Sequence, residues 1–318
     1  MSIDRHLSHA MATQECPAKT TRFYSAYGLV FASEFVLPEL IEVAPCAADA
    51  WIKRGRFEDQ RAPCEDTTWY RFEEGHAVLH WDTVGTFKVQ SGHEIIVEKA
   101  DNVGDDLVAF PLLGPVLAVL LHQRGLFILH ASSIGIKGCG LCLLGDKGAG
   151  KSTTAASLVA AGHTLLTDDI VAIDCDAGGD FYVLAGFPQI KLAADAGARI
   201  DLAESRILAQ AHPSIDKNRY RLTSGFSGLR VKLEKLFVLV RGNELGVTCL
   251  SGRQSLDALI RYSYMSRFGA AAMVGDSVAV HLMQCAKIAG GLHVNVLSVP
   301  DNLGLLDELV HVLERQAA

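Results

Sequence analysis

Charge is scarce in this 318-residue chain. Asp, Glu, Lys and Arg make up 20% of it, and 36 acidic residues outnumber 29 basic ones. The resulting net charge of −7 argues against a nucleic-acid partner held by phosphate neutralisation. Uninterrupted apolar runs are missing too. The longest, Leu107 to Leu121, is broken by Pro111, Gly114 and Pro115. That pattern predicts a buried helix beginning near Gly114, with Pro115 at a favoured early position, too short and broken to span a bilayer. Met1 to Thr20 lacks an apolar core and carries Asp4 and Glu15, unlike a secretion signal, so the expected compartment is the cytoplasm and no membrane partner is expected. The eight cysteines follow no framework spacing. Cys139 and Cys142 form C-x-x-C, but no second pair completes a zinc set, and a structural role is expected. The same holds for His76, His80 and His93, which fall in predicted strands with no H-x-x-x-H helix. Repeats and low-complexity tracts are absent.

What is present suits a large core: 49% hydrophobic residues, in a chain long enough for two domains or a core with additions. Strand-like runs at 27–31, 77–81, 86–89 and 94–97, separated by turns such as Glu74-Gly75 and Ser91-Gly92, predict an antiparallel β-rich domain over residues 1–105. Residues 106–318 read as an α/β nucleotide-binding domain ending in helices. Its later part predicts a helix at 202–211 and strands at 233–240 and 293–299. Helices are predicted near 255–267, 270–288 and 302–315, with Asp301 or Asn302 capping the last.

Gly145-Asp146-Lys147-Gly148-Ala149-Gly150-Lys151-Ser152 matches G-x-x-x-x-G-K-[ST] in full. Glycines let successive N–H groups turn toward an anion, Lys151 reaches the β- and γ-phosphates, and Ser152 offers a hydroxyl to Mg²⁺. The apolar run 140–144 before it reads as a buried strand. Lys151 to Ala161 after it reads as a helix stopped by Gly162. Residues 145–153, Thr153 included, are the expected contacts for ATP with Mg²⁺, although GTP stays open.

After that helix, Thr164 to Val171 reads as a strand carrying Asp168 and Asp169, only 16 positions beyond Ser152. Such a short connection places the acidic strand close to the P-loop strand. On a regular strand the two carboxylates point to opposite faces, so one could serve the metal and the other a substrate hydroxyl. His130 closes an apolar run 15 residues before the P-loop. Alone it would read as a packed strand-end histidine.

Leu129-His130, the P-loop, Gly162-His163 and Leu165-Leu166-Thr167-Asp168-Asp169 together resemble the HPr kinase/phosphorylase superfamily over about 127–174. The resemblance implies a P-loop kinase core like that of phosphoenolpyruvate carboxykinase, acting on a serine hydroxyl of a peptide or small protein. It implies Asp168 as proton acceptor with His130 beside it, Lys151 as the catalytic cation, and Ser152 and Asp169 on the metal side. Two departures stand out. Thr153 occupies a position where the bifunctional enzymes carry glutamate, and 184–192 lacks their Arg-Gly-x-Gly signature, so phosphorolysis is not expected. Tyr27-Gly28-Leu29, Leu37-Pro38-Glu39-Leu40 and Gly186-Phe187-Pro188 look more like the branch containing lasso-peptide precursor kinases, which phosphorylate a serine near the precursor's C-terminus. Lys217 and Arg219, in a cation-rich stretch, are candidates for reaching the transferring phosphoryl group or a peptide carboxylate. An HPr-directed kinase, a P-loop switch, a small-molecule kinase and a homo-oligomer stay open.

Overall fold

The computed structural model describes residues 21–56, 67–202, 204–208, 217–272, 274–275 and 277–317. The first sheet holds eight strands: β1 (Arg22–Ala26), β2 (Leu29–Ser33), β3 (Ile41–Val43), β4 (Ala50–Arg54), β5 (Thr68–Glu73), β6 (His76–Trp81), β7 (Gly85–Gln90) and β8 (Glu94–Lys99). Their spatial order is β3-β1-β2-β4-β8-β7-β6-β5. The sheet is mixed, because β4 runs parallel to both β2 and β8. Residues 27–31 do not form one strand. Tyr27 (φ 55°) and Gly28 (φ 70°) instead make a two-residue hairpin turn joining β1 to β2.

A helical run follows, α1 (Asp105–Pro111) and α2 (Leu117–Gln123), joined through a wide turn kinked at Gly114. The helix therefore begins at Asp105, well before Gly114, and Pro115 marks the kink and not the start. By length and composition the 19-residue run could cross a membrane, yet 67% of it is buried in the protein. It packs on the first sheet, and that apolar cluster extends to Ile128, Ile170, Phe187 and Tyr264, past the boundary expected near residue 105.

The second sheet is built from β9 (Phe127–Leu129), β10 (Ser132–Ile136), β11 (Cys139–Leu144), β12 (Thr164–Thr167), β13 (Val171–Cys175) and β14 (Phe181–Leu184), with later strands added. The helix α3 (Lys151–Ala160) follows β11. A three-stranded sheet comprises β15 (Gln189–Leu192), β16 (Ser205–Leu208) and β17 (Asn218–Leu222), with α4 (Ala194–Arg199) between the first two. The helix expected over 202–211 is thus replaced by β16 at 205–208, where pairing with β17 decides the conformation. Residues 203 and 209–211 lie outside those described. The strands β18 (Val231–Arg241), β19 (Gly246–Cys249) and β20 (His293–Val299) complete the second sheet, in the order β12-β10-β11-β18-β14-β13-β9, with β20 on β18. Strands β11, β18 and β20 are parallel. Helices α5 (Gly252–Tyr262), α6 (Ser277–Gly291) and α7 (Leu306–Gln316) occupy the expected C-terminal regions with shifted ends. Asn302 caps the short turn before α7 by accepting from the Gly304 N–H at 2.8 Å.

Two buried anchors stand out among the contacts that tie the first sheet to the other two. The hairpin tip docks on the second sheet, where the Tyr27 N–H donates to Ala185 O at 2.7 Å and the Tyr27 hydroxyl donates to Ile170 O at 3.1 Å. Gly186 permits this approach, since a Cβ there would sit 2.5 Å from Thr167 Oγ1 and 2.9 Å from the tyrosine oxygen. The second contact is the buried pair of Arg219 with Glu39, 2.5 Å apart. Breaking a buried pair from one side strands a charge. Arg219→Met is therefore expected to lower unfolding free energy by about 3–5 kcal/mol in urea titration. Arg219→Met with Glu39→Leu should recover much of that loss.

Candidate functional site

Three glycines shape the loop between β11 and α3: Gly145 (φ 147°), Gly148 (φ 84°) and Gly150 (φ 99°). Gly145 is also crowded, with a Cβ there meeting Leu239 O and Ala149 Cβ at 2.9 Å. The loop is braced from outside. Arg261 donates to both Asp146 carboxylate oxygens at 2.7 and 3.0 Å, and Arg241 Nη2 donates to Gly148 O at 3.1 Å. Inside, the Lys151 ammonium donates to the carbonyls of Gly145 (2.7 Å) and Asp146 (3.2 Å). Burial pulls the lysine's pKa down, against the opposing pull of Asp168 and Asp169.

The loop borders a cavity of about 300 Å³. Of the expected nucleotide contacts, Lys147, Gly148, Gly150, Lys151, Ser152 and Thr153 line it. Gly145, Asp146 and Ala149 do not: Asp146 turns to Arg261, and Ala149 is packed into the core. His130, Asp168, Asp169 and Lys217 line the same cavity.

The two aspartates are not on a strand. β12 stops at Thr167, Asp169 takes a left-handed φ of 79°, and β13 starts at Val171. The turn lets both carboxylates face one cavity, which replaces the opposite-face arrangement expected from strand alternation. Thr167 Oγ1 closes the turn by donating to Ile170 O at 2.6 Å, and Tyr27 supports it from behind. β12 is separated from the P-loop strand by β10, which delivers Ser132 into the gap.

Asp168 is buried and accepts three hydrogen bonds. Oδ1 receives the Ser132 hydroxyl at 2.6 Å and the Ser152 hydroxyl at 3.0 Å, while Oδ2 receives the Lys191 N–H at 3.1 Å. Asp169 is 3.1 Å from His130 Nδ1 and 2.9 Å from the Lys191 ammonium. Burial opposes ionisation of Asp169, but Lys191 and His130 outweigh it and hold the carboxyl well below the usual range. His130 Nδ1 is also 3.2 Å from Arg267 Nη1. The pairing thus runs opposite to the expected one: Ser152 stands with Asp168, and His130 stands with Asp169. The Asp169 backbone turn swings its side chain toward His130 and leaves Asp168 beneath the P-loop serine.

Arg219 is not a substrate cation here. Its guanidinium is buried against Glu39, a partner 180 positions away. Lys217 lies exposed at the cavity wall. Sequence reasoning missed Ser132, Lys191, Arg241 and Arg267. Ser132 and Lys191 lay in segments already singled out, next to His130 and within Gly186-to-Leu192, but no spacing rule marks them.

The donor set fits a nucleotide with Mg²⁺. The N-terminus of α3 has no side-chain cap, so its first-turn N–H groups are available to an anion. Ser152 and Asp168 supply adjacent hard oxygen ligands of the kind Mg²⁺ takes.

Residues 125–184 match the family model of the HPr Serine kinase C-terminal domain. That segment contains His130, Ser132, the P-loop, Asp168 and Asp169. Proteins named HPr kinase/phosphorylase from two strains of Treponema pallidum are each 44% identical to this chain over 50 residues. The alignment covers 16% of this chain and spans 16% of the length of these relatives. The solved HPr(Ser) kinase/phosphatase of Coxiella burnetii aligns over 60% of this chain and 97% of its own. The two are 14% identical in sequence, with a TM-score of 0.30.

Gly145→Ala tests the loop geometry. ADP with Mg²⁺ should raise the thermal midpoint of the parent, and that shift should vanish in the variant.

Proposed function

We propose that the chain is a phosphotransferase that moves the γ-phosphoryl group of ATP to a serine hydroxyl of a peptide or small protein. The observation carrying this reading is the convergence of Ser152 on Asp168, with Asp169, His130 and Lys191 alongside in the same cavity. A metal-side carboxylate and a separate proton acceptor are what transfer to an alcohol requires. The matched domain family supports the reading over residues 125–184.

In this proposal Lys151 leaves the loop carbonyls for the β- and γ-phosphate oxygens, and the N–H groups of 147–148 and 150–153 hold the phosphates. Mg²⁺, held by Ser152 and Asp168, would neutralise phosphate charge. The serine oxygen approaches phosphorus opposite the β–γ bridging oxygen. Its bond to phosphorus forms as the bridging bond breaks, and ADP leaves. Asp169 takes the hydroxyl proton. The Lys191 and His130 contacts that keep it anionic also weaken it as a base, so the proton moves late, once the new bond to phosphorus has made the hydroxyl acidic. Lys191 and Lys217 add fixed positive charge where the transferring group is most anionic.

A P-loop switch needs a group that orients water. Asp169, clamped between the Lys191 ammonium and the His130 imidazole at a cavity wall, suits a placed alcohol better. For the acceptor, a peptide serine such as that of a lasso-peptide precursor is favoured by Thr153 and by the absence of Arg-Gly-x-Gly from 184–192, both departures from bifunctional HPr enzymes.

Asp169→Asn should lower the phosphorylation rate by roughly 10²–10⁴ with Mg²⁺ affinity little changed. Asp168→Asn should instead raise the Mg²⁺ concentration needed for half-maximal rate. Equal effects of both on the Mg²⁺ requirement would refute the division of roles. Phosphorylated product incubated with inorganic phosphate and Mg²⁺ should yield no pyrophosphate, measured by coupled assay. Rapid phosphorylation of HPr, with serine peptides inert, would refute the acceptor reading.

A further inference from the structure

The P-loop strand divides the site into two flanks, and only one is used by the chemistry described above. On one side stand β10 and β12, which deliver Ser132, Asp168 and Asp169. On the other side stand β18 and β20, both parallel to β11. Ligands of parallel α/β sheets bind beyond the carboxyl ends of such strands. Those ends carry Arg241, the last residue of β18, and Asp301, two residues past β20. Both line the P-loop cavity, as does Leu303.

Arg241 is fixed by three acceptors. Nη2 donates to Gly148 O at 3.1 Å, while Nη1 lies 3.1 Å from Asp301 Oδ1 and 3.5 Å from Pro300 O. Its guanidinium is thus locked against the P-loop itself while staying about half exposed. Asp301 is oriented by that arginine, yet its side chain is 87% exposed, so its carboxylate remains able to accept from a ligand. Strands lie about 4.8 Å apart, which puts the end of β20 about 10 Å from the P-loop strand, on the flank away from the aspartates. On this reading a triphosphate with its γ-group at Asp169 sends its nucleoside toward this flank, where Arg241, Asp301 and Leu303 line the cavity.

The geometry points to Arg241 and Asp301 as the nucleoside-binding pair, resting on the phosphate site proposed above: the Arg241 plane stacks on the nucleobase, and the Asp301 carboxylate accepts from the ribose hydroxyls. A guanidinium held by three acceptors is suited to stacking its plane on an aromatic face. A carboxylate is a hydrogen-bond acceptor only, and the ribose 2′ and 3′ hydroxyls are adjacent donors. Leu303 adds apolar surface at the same wall.

Equilibrium binding separates this inference from the reading it rests on. ADP, 2′,3′-dideoxyADP and inorganic tripolyphosphate, each with Mg²⁺, are titrated calorimetrically into the parent chain, Asp301→Ala and Arg241→Lys. The parent should bind ADP roughly tenfold tighter than dideoxyADP, the value of one charge-assisted hydrogen bond. Asp301→Ala should bring ADP down to the dideoxyADP level while tripolyphosphate stays within about twofold. Arg241→Lys retains the charge without the plane, and should weaken both nucleotides several-fold more than tripolyphosphate. If the parent binds ADP but Asp301→Ala weakens ADP and dideoxyADP alike, or neither, the inference is overturned and the phosphate site stands. If the parent binds neither ADP nor tripolyphosphate, the phosphate site falls and this inference with it. Thermal melting of Asp301→Ala should match the parent, because the residue is exposed.

Discussion

One carboxylate fastens the site together. Asp168 accepts from Ser132 on β10, Ser152 at the start of α3, and the backbone of Lys191 on β15. These elements belong to two different sheets and the P-loop helix. Three donors replace the water that burial takes from the carboxylate; without them its desolvation would be severe. The arrangement also fixes the distance from the P-loop serine to the acidic turn. These hydrogen bonds couple the P-loop helix to the acidic turn. A metal ion between Ser152 and Asp168 would meet ligands already converged.

The first sheet is part of this construction. Its hairpin tip, Tyr27-Gly28, reaches behind the acidic turn and holds Ile170 O, while Gly186 gives up its side chain to admit the tyrosine ring. Glu39, from the segment before β3, neutralises Arg219 across the same interface. A shift of the first sheet would be transmitted through Ile170 to Asp169, one residue away. The apolar cluster shared by the first sheet, α2 and Tyr264 makes such a shift expensive, because close-packed side chains have no slack to absorb it.

The strand, loop and helix of residues 139–160 were legible in the sequence, since their glycine spacing and apolar periodicity depend only on neighbours along the chain. So were β18 and β20. His130, Asp168 and Asp169 stood out in the sequence and line one cavity in the structure, but their partners were not legible. Strand alternation assumes regular φ, and nothing in Thr-Asp-Asp-Ile announces that a non-glycine residue will adopt φ 79°. The stretch 205–208 could suit helix or strand until β17 is present to pair with it. Arg219 read as a substrate cation because its neutralising carboxylate lies 180 positions earlier. Lys191 carried no signal, because its importance comes from standing beside Asp169 in space.

Lys151 and Lys191 are not equivalent cations, and the difference sets which one moves. Lys151 is satisfied by two neutral carbonyl oxygens. Exchanging them for phosphate oxygens replaces neutral acceptors with anionic ones, and charge-assisted hydrogen bonds are roughly twice as strong. Lys191 already faces a carboxylate at 2.9 Å, so the same exchange would trade one anion for another and leave Asp169 less compensated. The energetics therefore favour Lys151 turning to an arriving phosphate while Lys191 stays with Asp169. Kept in that pairing, Asp169 is anionic and aimed before any substrate arrives, and its position is fixed by a contact that phosphate binding has no reason to break.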